Sequence, residues 1–172
     1  IRIENNLQYN PDKEYPVDMI YYSIVKFEEN QKFFTEEQWK DKGLFFRTCT
    51  VDKNFILYRD FSKQMPTLEF FNQFIHKYNG KIFLAHLYKY QLGDYISYLD
   101  KIVEKNLIDG VEVYHSSFTN EQIKILEKYC ANNGLLMSGG SDCHGERKKE
   151  RKLGIGYGNL NINKEIIEDW QI

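Results

Sequence analysis

Three short apolar runs, each leading into a polar residue and separated by an amphipathic segment, constrain this chain more than any other feature. They are 81–85 (Lys-Ile-Phe-Leu-Ala), 110–114 (Gly-Val-Glu-Val-Tyr) and 135–137 (Leu-Leu-Met). Runs this short and this apolar fit buried strands. Between the first two, 92–105 carries Tyr95, Ile96, Leu99, Ile102 and Val103 at helical spacing. Between the second and third, Thr119 caps a helix that Gly134 ends, with Ile123, Leu126, Tyr129 and Cys130 turned inward. A further helix opens at Pro66-Thr67-Leu68-Glu69, spaces Phe70, Phe71, Phe74, Ile75 and Tyr78 along its apolar positions and stops at Gly80. Strands recurring roughly every 25 to 30 residues with one helix between them predict parallel pairing, because parallel neighbours need a crossover and antiparallel ones do not. The expected fold class is α/β.

Residues 1–60 have a different texture. Pro11 and Pro16 bracket a polar loop, and 19–27 fits a helix. Thr35 caps a short helix through Trp39 and Lys40, with Gly43 as its stop, while 44–46 and 55–58 read as strands. The 172 residues, 42% hydrophobic and 28% charged, suffice for about one ordinary domain and exclude a disordered tail or a fibre. A net charge of -2 and a pI near 6.1 argue against a basic nucleic-acid module, so no stable duplex binding is expected. No apolar run approaches the roughly 18 residues of a membrane helix, and no signal-peptide pattern opens the chain. Cys49, Cys130 and Cys143 are an odd set with no C-x-x-C, which fits a reducing, cytoplasmic compartment. Tyr and Phe are abundant while Ala occurs only at 85 and 131, a skew that reads as codon bias first and as function second.

Of four histidines, three fall just after the three predicted strands: His86, His115 and, in the loop Ser141-Asp142-Cys143-His144, His144. In parallel α/β sheets, loops after the carboxyl ends of the strands carry the chemistry. Parallel strands would therefore bring His86, His115, Asp142 and His144 to one edge. Each has a plainer reading: His86 as a satisfied buried histidine, His115 as a helix lead-in, His76 as a helix-surface residue. An Asp and a His two apart in a Gly-rich turn can address one ion or neighbouring ions. Cys143 between them reads as a packing residue. Glu112, inside an apolar strand, needs a hydrogen bond, an opposite charge or a metal. The run Glu146-Arg147-Lys148-Lys149-Glu150-Arg151-Lys152 is either a solvated face or a phosphate clamp, with Arg147 or Lys148 as the clamping cation. Lys89 is placed to face the same pocket, and Tyr88 and Tyr90 are either packing residues or a stacking surface for a base.

These residues carry a resemblance. Gly80 through His86, then Gly110-Val111-Glu112-Val113-Tyr114, then Gly139-Gly140-Ser141-Asp142-Cys143-His144-Gly145, ending in Lys152-Leu153-Gly154, resemble the C-terminal part of the PHP (polymerase and histidinol phosphatase) domain over residues 62–160. The resemblance implies part of a distorted (β/α)7 TIM-like barrel in 61–172, with 1–60 an insertion, a lid or a remnant. It implies a phosphoesterase that hydrolyses phosphate esters, of nucleotides or short oligonucleotides, through water activated by divalent metal ions (Mn, Zn, Fe or Mg). It implies His86, Asp142 and His144 as metal ligands, Asp142 and His86 also as catalytic residues, and Lys89, Arg147 and His115 as substrate-binding groups. The sequence departs from the family at Leu87 and Tyr88, and no H-x-H occurs anywhere in it. The chain thus reads as the later part of a longer enzyme. The rival reading is a non-catalytic binding or regulatory module on the same scaffold. An amidohydrolase-type barrel ranks behind both, since no strand offers a bridging lysine.

Overall fold

A computed structural model describes the chain except residues 13, 14, 91, 157–159, 161, 171 and 172 and the side chains of 147 and 148. It divides into two compact units, Ile1–Met65 and Pro66–Ile172.

The first unit is helical: α1 (Pro16–Val25), a 3-10 turn (Glu28–Phe33), α2 (Glu36–Lys40) and α3 (Lys42–Cys49). Pro16 opens α1, where its missing N–H leaves no bond unmade. Thr35 caps α2 reciprocally with Gln38. Gly43 lies inside α3, not beyond a helix, because Asp41 caps the next helix at once by accepting from the Leu44 amide. Residues 44–46 are therefore helical, not a strand, and 55–58 form turns. Tyr21, Ile24, Phe45 and Cys49 make a small core that Phe34, Trp39 and Phe55 surround. Buried Asn30 ties the amino-terminal residues down. It accepts from the Arg2 amide at 2.8 Å and donates to the Arg2 and Ile24 carbonyls at 2.6 and 2.9 Å.

The second unit alternates α4 (Leu68–Lys77), β1 (Phe83–Leu84), α5 (Tyr95–Val103), β2 (Gly110–His115), α6 (Asn120–Asn133) and β3 (Leu136–Gly140). The three strands pair in parallel in the order β1-β2-β3 and the sheet is not closed. Its core runs through Leu87, Leu99, Ile102, Val111, Val113, Leu126 and Cys130. Helix α6 has the expected Thr119 capping box and a left-handed Gly134 at its end. At α4 the left-handed residue is Asn79, not Gly80; Gly80 follows it and donates to the Ile75 carbonyl at 3.0 Å. Phe70, Phe71 and Phe74, read as apolar positions, are 53, 43 and 48% exposed, so that face of α4 is not core. Strand β1 shrinks to two residues of the expected five. Among the described residues no helix is long and apolar enough to cross a membrane.

Two glycines are dictated by strand contact. A side chain at Gly110 would meet the Leu136 carbonyl and the Phe83 ring at 2.4 Å, and one at Gly139 would meet Tyr114 at 2.8 Å. The β2–β3 register also slips between Glu112 and Tyr114, so that Tyr114 pairs with Gly139 and His115 with Gly140. Such an irregularity re-aims the residues beyond it. Here it sets His115 beside the start of the Ser141-Asp142 loop.

Candidate functional site

Strand β1 exits into His86, whose left-handed backbone (φ 35°) turns the chain into a 3-10 turn, Leu87–Lys89, anchored by the fully buried Leu87. His86 donates its amide to Glu112 Oε2 at 2.6 Å. The other Glu112 oxygen lies 3.0 Å from where a Gly140 Cβ would sit. One carboxylate on the central strand thus spans from the exit of β1 to the end of β3. Burial raises the Glu112 pKa, against the lowering effect of the His86 amide. Strand-borne Glu112 is hydrogen-bonded, as its position in an apolar run requires.

His115 closes β2 and is 2% exposed. Its Nδ1 receives the Ser117 backbone N–H at 3.1 Å and lies 2.8 Å from the Ser117 hydroxyl. Its ring packs against Phe118 at 5.0 Å and edge-on to His86 at 6.2 Å. Burial, then the charges of Lys89, His86 and Arg151, push its pKa down to about 4, so it is neutral at neutral pH.

After β3, Asp142 adopts a left-handed conformation (φ 54°). Its carboxylate meets His144 Nε2 at 2.9 Å and forms an ion pair with Arg151, whose side chain is 14% exposed. A turn fastens Arg151 in place. Residues 152 and 156 bridge, the Gly154 amide donates to Ser141 Oγ at 3.1 Å, and a side chain at Gly156 would collide with Ser116 at 2.2 Å. Cys143 is exposed rather than a packing residue, because the turn through Asp142 carries it outward.

The sheet edge therefore gathers His86, Glu112 and His115 in one set of contacts and Asp142, His144 and Arg151 in another, with the charges of Lys89 and Arg151 reaching His115. The side chain of Arg147 lies outside the described residues. Nothing local in the sequence marks Arg151 or Ser117 as a site residue; Arg151 is one of five cations in its run. Tyr88 is half-buried against the core and packed edge-on to Tyr95 and Phe118, at 5.0 and 5.1 Å, contacts that favour the packing reading. Tyr90 lies against the His86 ring at 5.7 Å. An opening of about 530 Å³ sits at the other ends of the strands, lined by His76, Lys81, Asp109, Leu136 and Trp170, away from all of these groups.

The donor types suit a divalent metal: imidazole and carboxylate are its ordinary ligands. His86 Nδ1 is buried and has no partner, the one such atom among the described residues. Yet no three His, Cys, Asp or Glu side chains converge as a metal-holding group among those residues. Asp142 is instead neutralised by Arg151. Among the described residues, then, the side chains at this edge do not make a closed metal centre.

No protein-family model matches the chain, and no curated protein matches it. Among solved structures it is similar to a protein from Bifidobacterium adolescentis described as a "putative metal-dependent phosphoesterase". The TM-score is 0.55 and the identity 21%; the match covers 89% of this chain and 48% of that one. The chain thus spans about half the length of that protein. At this identity the likeness speaks for the fold alone, and the fold of this chain is α/β around a three-stranded parallel sheet.

Proposed function

We propose that the chain is the phosphate-holding part of a metal-dependent phosphoesterase of the PHP type, acting on phosphate esters such as those of nucleotides. The observation that carries the reading is the placement of His86, His115 and the Asp142–His144 loop at the carboxyl ends of three successive parallel strands, with Lys89 and Arg151 beside them. That edge pairs potential metal ligands with cations that suit a phosphate. In this reading the three strands are a portion of the (β/α)7 barrel, and His86, Asp142 and His144 are a portion of its ligand set.

The chain's own contribution is binding and orientation. Lys89 and Arg151 draw a dianionic ester to the strand ends, where charge-assisted bonds are the strong ones. Glu112 fixes the backbone of His86. His144 and Arg151 hold Asp142.

A second reading, a phosphate-binding module without hydrolytic activity, is favoured by one observation: Arg151 occupies the carboxylate that a metal would need. Elemental analysis of the purified chain after exposure to Mn(II), together with phosphate release from a nucleoside 3',5'-bisphosphate, separates the two. The enzyme reading expects bound metal that both His86→Ala and Asp142→Ala lose, and phosphate release at least about a hundredfold slower in Asp142→Ala. Phosphate binding with no metal and no release supports the module.

A further inference from the structure

We propose that His115 is a hydrogen-bond donor, through Nε2–H, to an oxygen of the phosphate group held at the strand ends, and that the Ser117 amide is the positioning group that commits it to that role. The inference rests on the phosphate reading above and assigns His115 a specific chemical form within it.

The argument is geometric. A backbone N–H has a fixed direction and can only donate. The Ser117 amide points at His115 Nδ1 at 3.1 Å, so Nδ1 is the acceptor and carries no proton. A neutral imidazole must then carry its proton on Nε2. An imidazolium would set an N–H against the Ser117 N–H, so the same contact disfavours the charged form. The Ser117 hydroxyl, 2.8 Å from Nδ1, can rotate to donate as well; the amide cannot adapt, and it decides the tautomer.

Burial shows where the donor is available. The ring is 2% exposed and held between Phe118 and His86. Among the described residues Nε2 has no hydrogen-bond partner, the contacts of the ring nitrogens being made at Nδ1, yet the one fully buried side-chain polar atom without a partner among those residues is His86 Nδ1. The small part of His115 that still reaches solvent therefore includes Nε2. Its surroundings are cationic, with Lys89 and Arg151 both near enough to act on its charge. A neutral N–H beside two cations adds a directed bond to an anion without further like-charge repulsion. The same proton makes Nε2 unfit to ligate a metal, for which the lone pair would be needed.

The test uses the whole 172-residue chain. Long-range proton–nitrogen correlation spectra distinguish the two imidazole tautomers, with the His115 signals assigned by their absence in His115→Gln. The expected result is the Nε2–H form, retained in Ser117→Ala, which keeps the amide and removes the hydroxyl. An Nδ1–H form in the parent, or its emergence in Ser117→Ala, overturns the proposal. Titration with inorganic phosphate should then shift the His115 Nε2–H together with the Arg151 side-chain N–H signals. Phosphate that shifts Arg151 and leaves His115 unmoved overturns the role of His115 while the phosphate reading survives. Phosphate that shifts neither overturns both. His115→Ala is expected to weaken phosphate binding about tenfold, the scale of one hydrogen bond to a charged group. His115→Gln, whose amide N–H lies near the lost Nε2–H, should recover part of that loss; a Gln variant as weak as Ala, with both folded by circular dichroism, counts against a donor.

Discussion

Single carboxylates do much of the positioning in the second unit. Asp109 is one: it accepts the Ile82 amide at 2.8 Å, pairs with His76 at 2.8 Å and lies 3.6 Å from Lys81. Burial raises its pKa, but the Ile82 amide, the His76 bond and the His76 and Lys81 charges outweigh that and leave it lowered. A lowered folded pKa means that Asp109 contributes its full stabilisation above its ordinary value of 3.8 and loses it as pH falls through the lower folded value. Urea unfolding of Asp109→Asn should show a loss of about 1–2 kcal/mol at neutral pH. The stability gap from the parent should narrow in acid; a gap independent of pH would show that the carboxylate's charge is not what matters. Glu112 is the other. Replacing it with Ala leaves the His86 amide without its acceptor, and a loss of about 1–3 kcal/mol is expected in the same measurement.

Elements in this chain follow local chemistry where their ends are written in the sequence and depart from it where they are not. The Thr119 cap and the Gly134 stop delimit α6, and both were readable from residue type. Thr119→Ala should cost about 1 kcal/mol, measured by thermal or urea unfolding. The triplet 44–46 became helix because an apolar run of three has no period of its own and Asp41 caps it into α3. Helix α4 has the spacing of a buried face, yet its phenylalanines are exposed: period identifies a helix, while what covers the apolar face is a matter of neighbours. Strand contacts are stricter than either. Gly110→Ala would drive a methyl into the Leu136 carbonyl, backbone that cannot step aside without breaking the β2–β3 pairing. Its expected loss is about 3 kcal/mol or more, against less than about 1 kcal/mol for Ala at Gly93, where nothing lies within 4 Å.

At the scale of the whole molecule, a chain of net charge -2 keeps Lys89 and Arg151 near one edge of its sheet. Arg151 faces two ways there, as counter-ion to Asp142 and as a cation for an anionic ligand. Arg151→Met should therefore move two affinities in opposite directions, weakening inorganic phosphate and strengthening Mn(II), both read by titration calorimetry. Parallel loss of both would make Arg151 a structural brace instead. The order of strands and helices in 66–140, and the arrival of a histidine or an Asp-x-His loop at each strand end, follow from the sequence alone, because helix caps, strand-length apolar runs and crossover lengths are local facts. The choice of Arg151 over its neighbouring cations, the slip of register that brings His115 to Gly140, and the bond that leaves the His115 proton on Nε2 were decided only in three dimensions. The physical reason is the same in each case. A residue type states which bonds a group can make, but the partner that claims it is set by backbone brought together from distant parts of the chain.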